Sequence, residues 1–542
     1  MSATTMKKAT SMNRLLPIVA MAAGLMITAA AQAAAPGISG PTFTLTAQPA
    51  YLSQPDGQAV YSWGYGCTTP PAAASFVPAT STAPFCNTMQ VPGPTLVVTE
   101  GQTVSVTLSN RLPTAAGNTS ILFPGFNVTT SGGVPGLLTQ EAAPGSTVTY
   151  TFTASTPGTR SYYSGTQSDL QVEMGLYGAI IVLPNAAPSN GSCPAHNTAA
   201  GVDSTTNQLT AGGENDFRLS PTGAAFHLTQ SCYDREYLFQ FSEMDPNIHT
   251  QALAQVTASA AACTSGGAGS SGCSLNVPTE PYHPAYFMIN GRSMPDDMDT
   301  NYAAQYPHQP YNGNPHMHPG ELVLLRIIGQ GRWQHPFHEH GNHVRILARD
   351  GNLIVSSSSA SELAGPLLFT TTTTPGLAMD GIFYWTGKGL NWDAYGHHPG
   401  SADPLATLAC TPDANGYNTA NLLAVNYYEW CQDHNKPVQA APFGDVAGGG
   451  PVTLPDPNLF TNGAWFGGSM YLGPNATVRA TGPTGTTPPS GTIANPPSTE
   501  AGFAFMWHSH NEREITTNNI FPGGMLMMML VDSREFAIDE SQ

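Results

Sequence analysis

The chain has 542 residues, of which 10% are charged and 41% hydrophobic, so it exceeds one ordinary domain and can bury a sizeable core, which excludes a disordered chain. A formal charge of −18 argues against nucleic acid as a partner, because binding phosphates requires clustered basic residues. The 56 glycines and 47 prolines, set between short apolar runs, favour many strands joined by tight turns, an all-β protein.

The N-terminus reads as a secretory signal over residues 1–33. Lys7, Lys8 and Arg14 form a basic region, an apolar stretch covers 15–30, and Ala31-Gln32-Ala33 is a small-residue cleavage site. There is no Arg-Arg pair, so ordinary secretion is favoured over the twin-arginine route. The expected location is secreted or periplasmic, with no membrane span after signal removal, because the stretch is short for a span. Cleavage removes three basic residues and no acidic one, taking the charge from −18 to −21. Such a surface attracts metal cations.

Residues 41–184 read as one β-domain. Alternation predicts two strands over 94–108 around the turn Glu100-Gly101, another over 146–152, and a buried apolar strand over 178–183. Residues 185–234, rich in Asn, Ser, Gly and Thr, read as a linker. A second domain, 235–533, carries strands over 235–241, 285–290, 321–328, 343–348, 382–385, 502–507 and 525–531. Residues 255–275, with Cys263 and Cys273, are expected to form a disulfide-stapled surface loop. Residues 388–500 lack regular patterning and read as a large insertion. Excising them leaves a second domain of ordinary size; a three-domain parse is the alternative.

Eight cysteines suit an oxidising compartment. No Cys-x-x-Cys is present, which disfavours zinc-ribbon and thioredoxin readings. Pairing of sequence neighbours is expected: Cys67 with Cys86, Cys193 with Cys232, Cys263 with Cys273, and Cys410 with Cys431. Spacing alone leaves other connectivities open.

The most informative segment is His335-Pro336-Phe337-His338-Glu339-His340-Gly341-Asn342-His343. Side chains alternate along a strand, so His338 and His340 share a face. Trp507-His508-Ser509-His510 repeats the device, and two such strands side by side offer four imidazoles to one metal. Imidazole suits copper, zinc, iron or nickel. The competing reading is a pair of polar strands whose histidines merely hydrogen-bond. His316-Met317-His318 reads as a polar loop before a strand, and the methionines at 525 and 527–529 as core packing.

HPFHEHGNHVRILARDG resembles the His-Pro-x-His-x-His-Gly motif of the multicopper oxidases, and WHSH followed by GGM resembles their C-terminal His-Cys-His…Gly-Met motif. The lead-ins YFMINGRSMP (286–295) and ELVLLRIIGQG (321–331) agree. So do PGPTLVVTEGQTVSVTLSNRLP (92–113), PGT (157–159) and GLYGAIIV (175–182) in the first domain. The resemblance implies two cupredoxin-like β-sandwich domains, the second with the insertion. It implies copper as cofactor and oxidoreductase chemistry. His338, His340, His508 and His510 match ligands of the oxygen-reducing trinuclear cluster, and His335 and Met525 match ligands of the type 1 (blue) copper.

The departures are as informative. Ser509 stands at the blue-copper cysteine, and a hydroxyl cannot replace a thiolate for copper. Glu514 stands at the second type 1 histidine. In the first domain, Leu122-Phe123-Pro124-Gly125 and Tyr163-Ser164-Gly165 occupy the His-x-His positions. The expected centre is therefore copper held by four histidines of the second domain. The remaining ligands would come from water, a carboxylate such as Glu512 or Glu514, or a neighbouring subunit of a homo-oligomer. Three functions compete: an oxidoreductase with a reduced copper site, a non-catalytic copper-handling protein, and a structural protein that keeps only the fold.

Overall fold

The computed structural model describes residues 35–79, 85–86, 88–193, 216–386 and 502–532. It also describes 202–203, 208–209, 214, 412–420, 427–428, 430, 468–472, 493–494, 534 and 537–538. The expected signal (1–33), Cys410, Cys431, the pair His397-His398 and most of the insertion 388–500 lie outside the described residues.

The architecture is all-β, built of two β-sandwiches. In the first sandwich the strands used below are β1 (Thr42–Ser53), β2 (Ala59–Cys67), β3 (Gly93–Thr99), β4 (Thr103–Asn110), β5 (Thr147–Thr153), β6 (Gly158–Tyr163) and β7 (Tyr177–Leu183). One sheet runs β6-β7-β3 and the other β2-β1-β4-β5. The reason these segments are strands is visible in β4. Val104, Val106 and Leu108 are buried, while the intervening residues from Thr103 to Ser109 stay at least partly exposed. The period-two pattern thus places one face inward. Each such Val or Leu contributes roughly 1.5–3 kcal/mol of burial. β7 is buried on both faces: Ile180 and Val182 face the sandwich core. Its other face, Ala179, Ile181 and Leu183, packs with Leu238, Ile328 and Ala378 of the second domain.

The second sandwich contains β8 (Leu219–Ala224), β9 (Cys232–Met244), β10 (Tyr286–Ile289), β11 (His316–Met317), β12 (Leu322–Gly329), β13 (His335–Glu339), β14 (Val344–Arg349), β15 (Thr370–Thr373), β16 (Ala378–Tyr384), β17 (Gly468–Leu472), β18 (Gly502–Ser509) and β19 (Leu526–Asp532). One sheet runs β8-β9-β12-β16-β14; the other runs β11-β19-β18-β13-β15. Phe239, Phe241, Phe337, Phe383 and Trp507 meet between them with Met525, Met527 and Met529, so those methionines are core.

A buried polar seam joins the sandwiches. The Thr159 backbone N–H donates to Asp380 over 3.1 Å, Asp380 accepts from Arg326 at 3.1 Å, and Arg326 donates to Glu236 at 2.7 Å.

Three expectations need adjustment. The stretch 255–275 is not a loop: helix α1 (Pro246–Gly266) fills most of it. Asp245 caps its N-terminus by accepting from Asn247 N–H, Pro246 opens the first turn, and Gly267 follows its end at φ +74°. Alanine, the best helix former, outweighed the Gly and Ser that suggested a loop. The stretch 185–234 is not wholly a linker, because β8 lies inside it and pairs with β9. Nor does all of the insertion stand apart: β17 pairs antiparallel with β18. The disulfides Cys67–Cys86, Cys193–Cys232 and Cys263–Cys273 join sequence neighbours as expected.

Candidate metal centre

β13 and β18 are antiparallel neighbours, with Phe337 opposite Ser509, His338 opposite His508 and Glu339 opposite Trp507. Strand alternation then fixes the faces. Phe337 and Trp507 point into the core. Glu339 is buried against Thr371, whose hydroxyl donates to it at 2.9 Å. Burial pushes the Glu339 carboxyl up to about 8. The histidines take the opposite face.

There the four rings converge. Ring centroids lie 4.8 Å apart for His338–His340, 4.9 Å for His338–His510, 5.1 Å for His340–His508, and 5.6 Å for both His338–His508 and His508–His510. His338, His340 and His508 are buried, whereas half of the His510 side chain is exposed, so the cluster opens to solvent on one side. Phe369 stands over His338 at 5.6 Å.

One pair of ring nitrogens, on His340 and His508, is spaced for a shared ion. His508 Nδ1 lies 2.7 Å from the Ser509 carbonyl. A carbonyl only accepts, so Nδ1 carries the proton and Nε2 offers its lone pair. His338 Nδ1 is held by the Thr370 hydroxyl at 2.7 Å. His508 Nε2 and His340 Nε2 are 3.2 Å apart. Two nitrogens about 2.0 Å from one ion, in adjacent positions, stand ~2.9–3.3 Å apart. Burial first, then the neighbouring rings of His340, His508 and His510, lowers His338 to about 3. Burial also lowers His508, with the charge of His510 adding to it. Both rings are therefore neutral near pH 7, the state that binds metals.

His335, expected as a ligand, stands apart from the four clustered histidines and is engaged by two carboxylates. It is fully buried, with Nδ1 2.9 Å from Glu514 Oε2 and Nε2 2.8 Å from Glu243 Oε2. Burial alone would lower its pKa, but the bonds to Glu243 and Glu514 and their charges prevail and raise it to about 9. An imidazolium clamped at both nitrogens has no lone pair for a metal. Ser509 and Met525 are neighbours there, Ser509 N–H donating to the Met525 carbonyl at 2.9 Å. The Ser509 hydroxyl donates to Glu514. The positions that match the type 1 site are thus assembled, but an ion-paired, hydrogen-bonded network fills them.

Sequence reasoning missed the far half of that network. Glu243 accepts the backbone N–H groups of Arg332 and Trp333 at 2.7 and 2.9 Å, and Tyr282 donates to Glu173 at 2.6 Å and sits 3.1 Å from Glu243. No motif surrounds Glu243; it lies at the end of a long strand. Of the two carboxylates offered as extra ligands, Glu514 is committed to His335. Glu512 is exposed and lies 3.4 Å from His510.

In the first domain Leu122 and Tyr163 pair through their backbones, Leu122 N–H donating to Tyr163 at 2.7 Å. A Cβ on Gly165 would lie 2.8 Å from Leu122 Cγ. The two first-domain segments thus sit side by side as in the second domain, with a hydrocarbon contact in place of imidazoles.

A family model described as multicopper oxidase matches residues 73–187, the sandwich without ligand histidines. Laccase-3 of Botryotinia fuckeliana is 30% identical over 196 residues, covering 29% of this chain and 43% of that protein. Copper resistance protein A of Escherichia coli is 40% identical over 93 residues, 17% of this chain and 14% of that protein. The chain thus spans less than half the length of these curated relatives. The solved blue copper oxidase from Nitrosomonas europaea aligns over 90% of this chain and 85% of that one, at 14% identity and a TM-score of 0.42. The similarity to multicopper oxidases thus lies in the first sandwich for the family model and over 196 residues for Laccase-3.

Proposed function

We propose that this is an exported copper-binding protein whose preserved centre is held by His338, His340, His508 and His510, without a blue copper. The observation that supports it is the convergence of four imidazoles on one face of paired strands. Nitrogen ligands favour copper(II) over zinc in intrinsic affinity. When bound, copper supplies one-electron redox chemistry. The protein's part is to keep His338 and His508 neutral, to fix the His508 tautomer through the Ser509 carbonyl, and to leave the His510 side open to a water, to Glu512 or to a neighbouring subunit. Without a thiolate at Ser509, the family's route for electrons from blue copper to the cluster is lost. The signal-like N-terminus and the disulfides support export.

The test is copper content and electron paramagnetic resonance of the purified protein, alongside His338→Ala/His508→Ala. Copper bound equally by parent and variant refutes the site. Oxygen uptake with a phenol separates the two functional readings. Uptake that depends on these histidines makes the protein an oxidoreductase; copper binding without uptake makes it a copper-handling protein.

A further inference from the structure

We propose that Glu214, His318 and Glu321 hold a second divalent cation, zinc fitting the donors best, in an enclosed site separate from the four-histidine centre. His316-Met317-His318 reads in sequence as a polar loop, yet His318 is fully buried and Glu321 nearly so. Nearby ligand atoms of the three residues lie within 4.8 Å of one another. His318 Nδ1 is 2.9 Å from the Asp532 carbonyl, which accepts its proton and leaves Nε2 as the lone-pair nitrogen of the neutral ring. That nitrogen faces Glu214 Oε1 at 3.5 Å. His318 Nε2 and Glu214 Oε2 are both buried and have no hydrogen-bond partner among the described residues. Two buried polar atoms aimed at the same space are costly unless something fills it.

The surroundings orient the donors as an outer shell does. Arg235 donates to Glu214 Oε1 at 2.9 Å and to both Glu321 oxygens at 3.0 and 3.1 Å, and Glu321 Oε2 also accepts the His318 backbone N–H at 2.9 Å, so Glu214 Oε2 is the carboxylate oxygen left for an ion and Glu321 would join through a remaining lone pair. Charge points the same way. Asp216, Asp234 and Asp532 are buried with the two glutamates, against the buried arginines Arg218, Arg235 and Arg534. With neutral histidines the cluster is two charges negative, which a dication balances. One imidazole with two carboxylates is a mixed donor set, and zinc accepts both types. Ile538 N–H donates to Glu214 at 3.0 Å. The ion would therefore tie residue 214, the turn before β12 and the C-terminal segment together as a structural staple. The rival arrangement has His318 protonated and simply ion-paired to Glu214.

The experiment uses the full chain carrying His338→Ala and His508→Ala, so that the four-histidine centre does not contribute. It is produced with zinc in the medium and passed through gel filtration in EDTA before metal analysis. One zinc per chain is expected, falling by about tenfold or more on adding either His318→Gln or Glu214→Gln. A metal-free product, or zinc content that both substitutions leave unchanged, overturns the proposal. Should those substitutions prevent folding, the background protein is refolded in EDTA with and without excess zinc. A zinc-dependent rise in its melting temperature supports the site, and identical melting curves overturn it.

Discussion

His335→Gln removes a positive charge lodged between two buried carboxylates, Glu243 and Glu514. The wild-type ring is raised from 6.5 to about 9, a difference worth roughly 3 kcal/mol. The sign follows from linkage. A histidine whose folded pKa lies above its unfolded value lends full stability below pH 6.5 and loses it as pH rises through 9. Glutamine keeps an amide donor but cannot be charged, so it leaves the carboxylates uncompensated. Removing one partner of a buried ion pair costs about 3–5 kcal/mol. The variant should be less stable by that order at pH 6, and the gap should close by roughly 3 kcal/mol between pH 6.5 and 10. Guanidinium unfolding of both proteins at pH 6, 7.5, 9 and 10 measures this. Parallel stability profiles over the whole range would show that His335 is not an imidazolium in the folded protein, and the account of the refilled type 1 position would fail.

Copper-loaded protein should show no intense blue band, since that colour needs copper–thiolate bonding; a strong visible absorption of that kind would contradict it. Ser509→Cys alone should not create one either. Glu514 still stands at a histidine position and His335 stays clamped, so no intense blue band is expected on adding copper(II). At the domain seam, Asp380→Ala leaves Arg326 with Glu236 as its remaining carboxylate and deprives the Thr159 N–H of its acceptor. The expected loss is about 3–5 kcal/mol in chemical unfolding, and a change under 1 kcal/mol would mean the seam is solvated. Asp245→Ala removes the N-cap of α1 and the acceptor of the His283 N–H, and should cost about 2–3 kcal/mol, read as a lower melting temperature.

The second domain's site was legible because its signal is local. Two His-x-His segments at strand spacing announce a shared face, and the register of β13 on β18 sets those faces against each other. What surrounds the site was not legible. Glu243, Glu173 and Tyr282 come from three separate segments, and nothing near any of them in sequence marks a partnership with His335. Burial of His316 and His318 was missed for the same reason: Asp532 and Glu214, which satisfy or face them, lie far away along the chain. Most strand positions followed from alternation. At 255–275 the Gly and Ser content masked an alanine-rich helix whose start, Asp245-Pro246, lies upstream of that stretch.

His340 and His508 are 168 residues apart in the chain yet have touching ring nitrogens. Closing a loop of that length costs a free chain roughly 4–5 kcal/mol before any contact forms. The four-imidazole cluster therefore cannot exist in a nascent or half-folded molecule; it forms when β13 and β18 finally pair. A metal captured there would bind the native state and not its precursors, and would slow the escape from it. Loading would report completed folding: a chain that has reached its destination without pairing these strands would carry no copper at this centre.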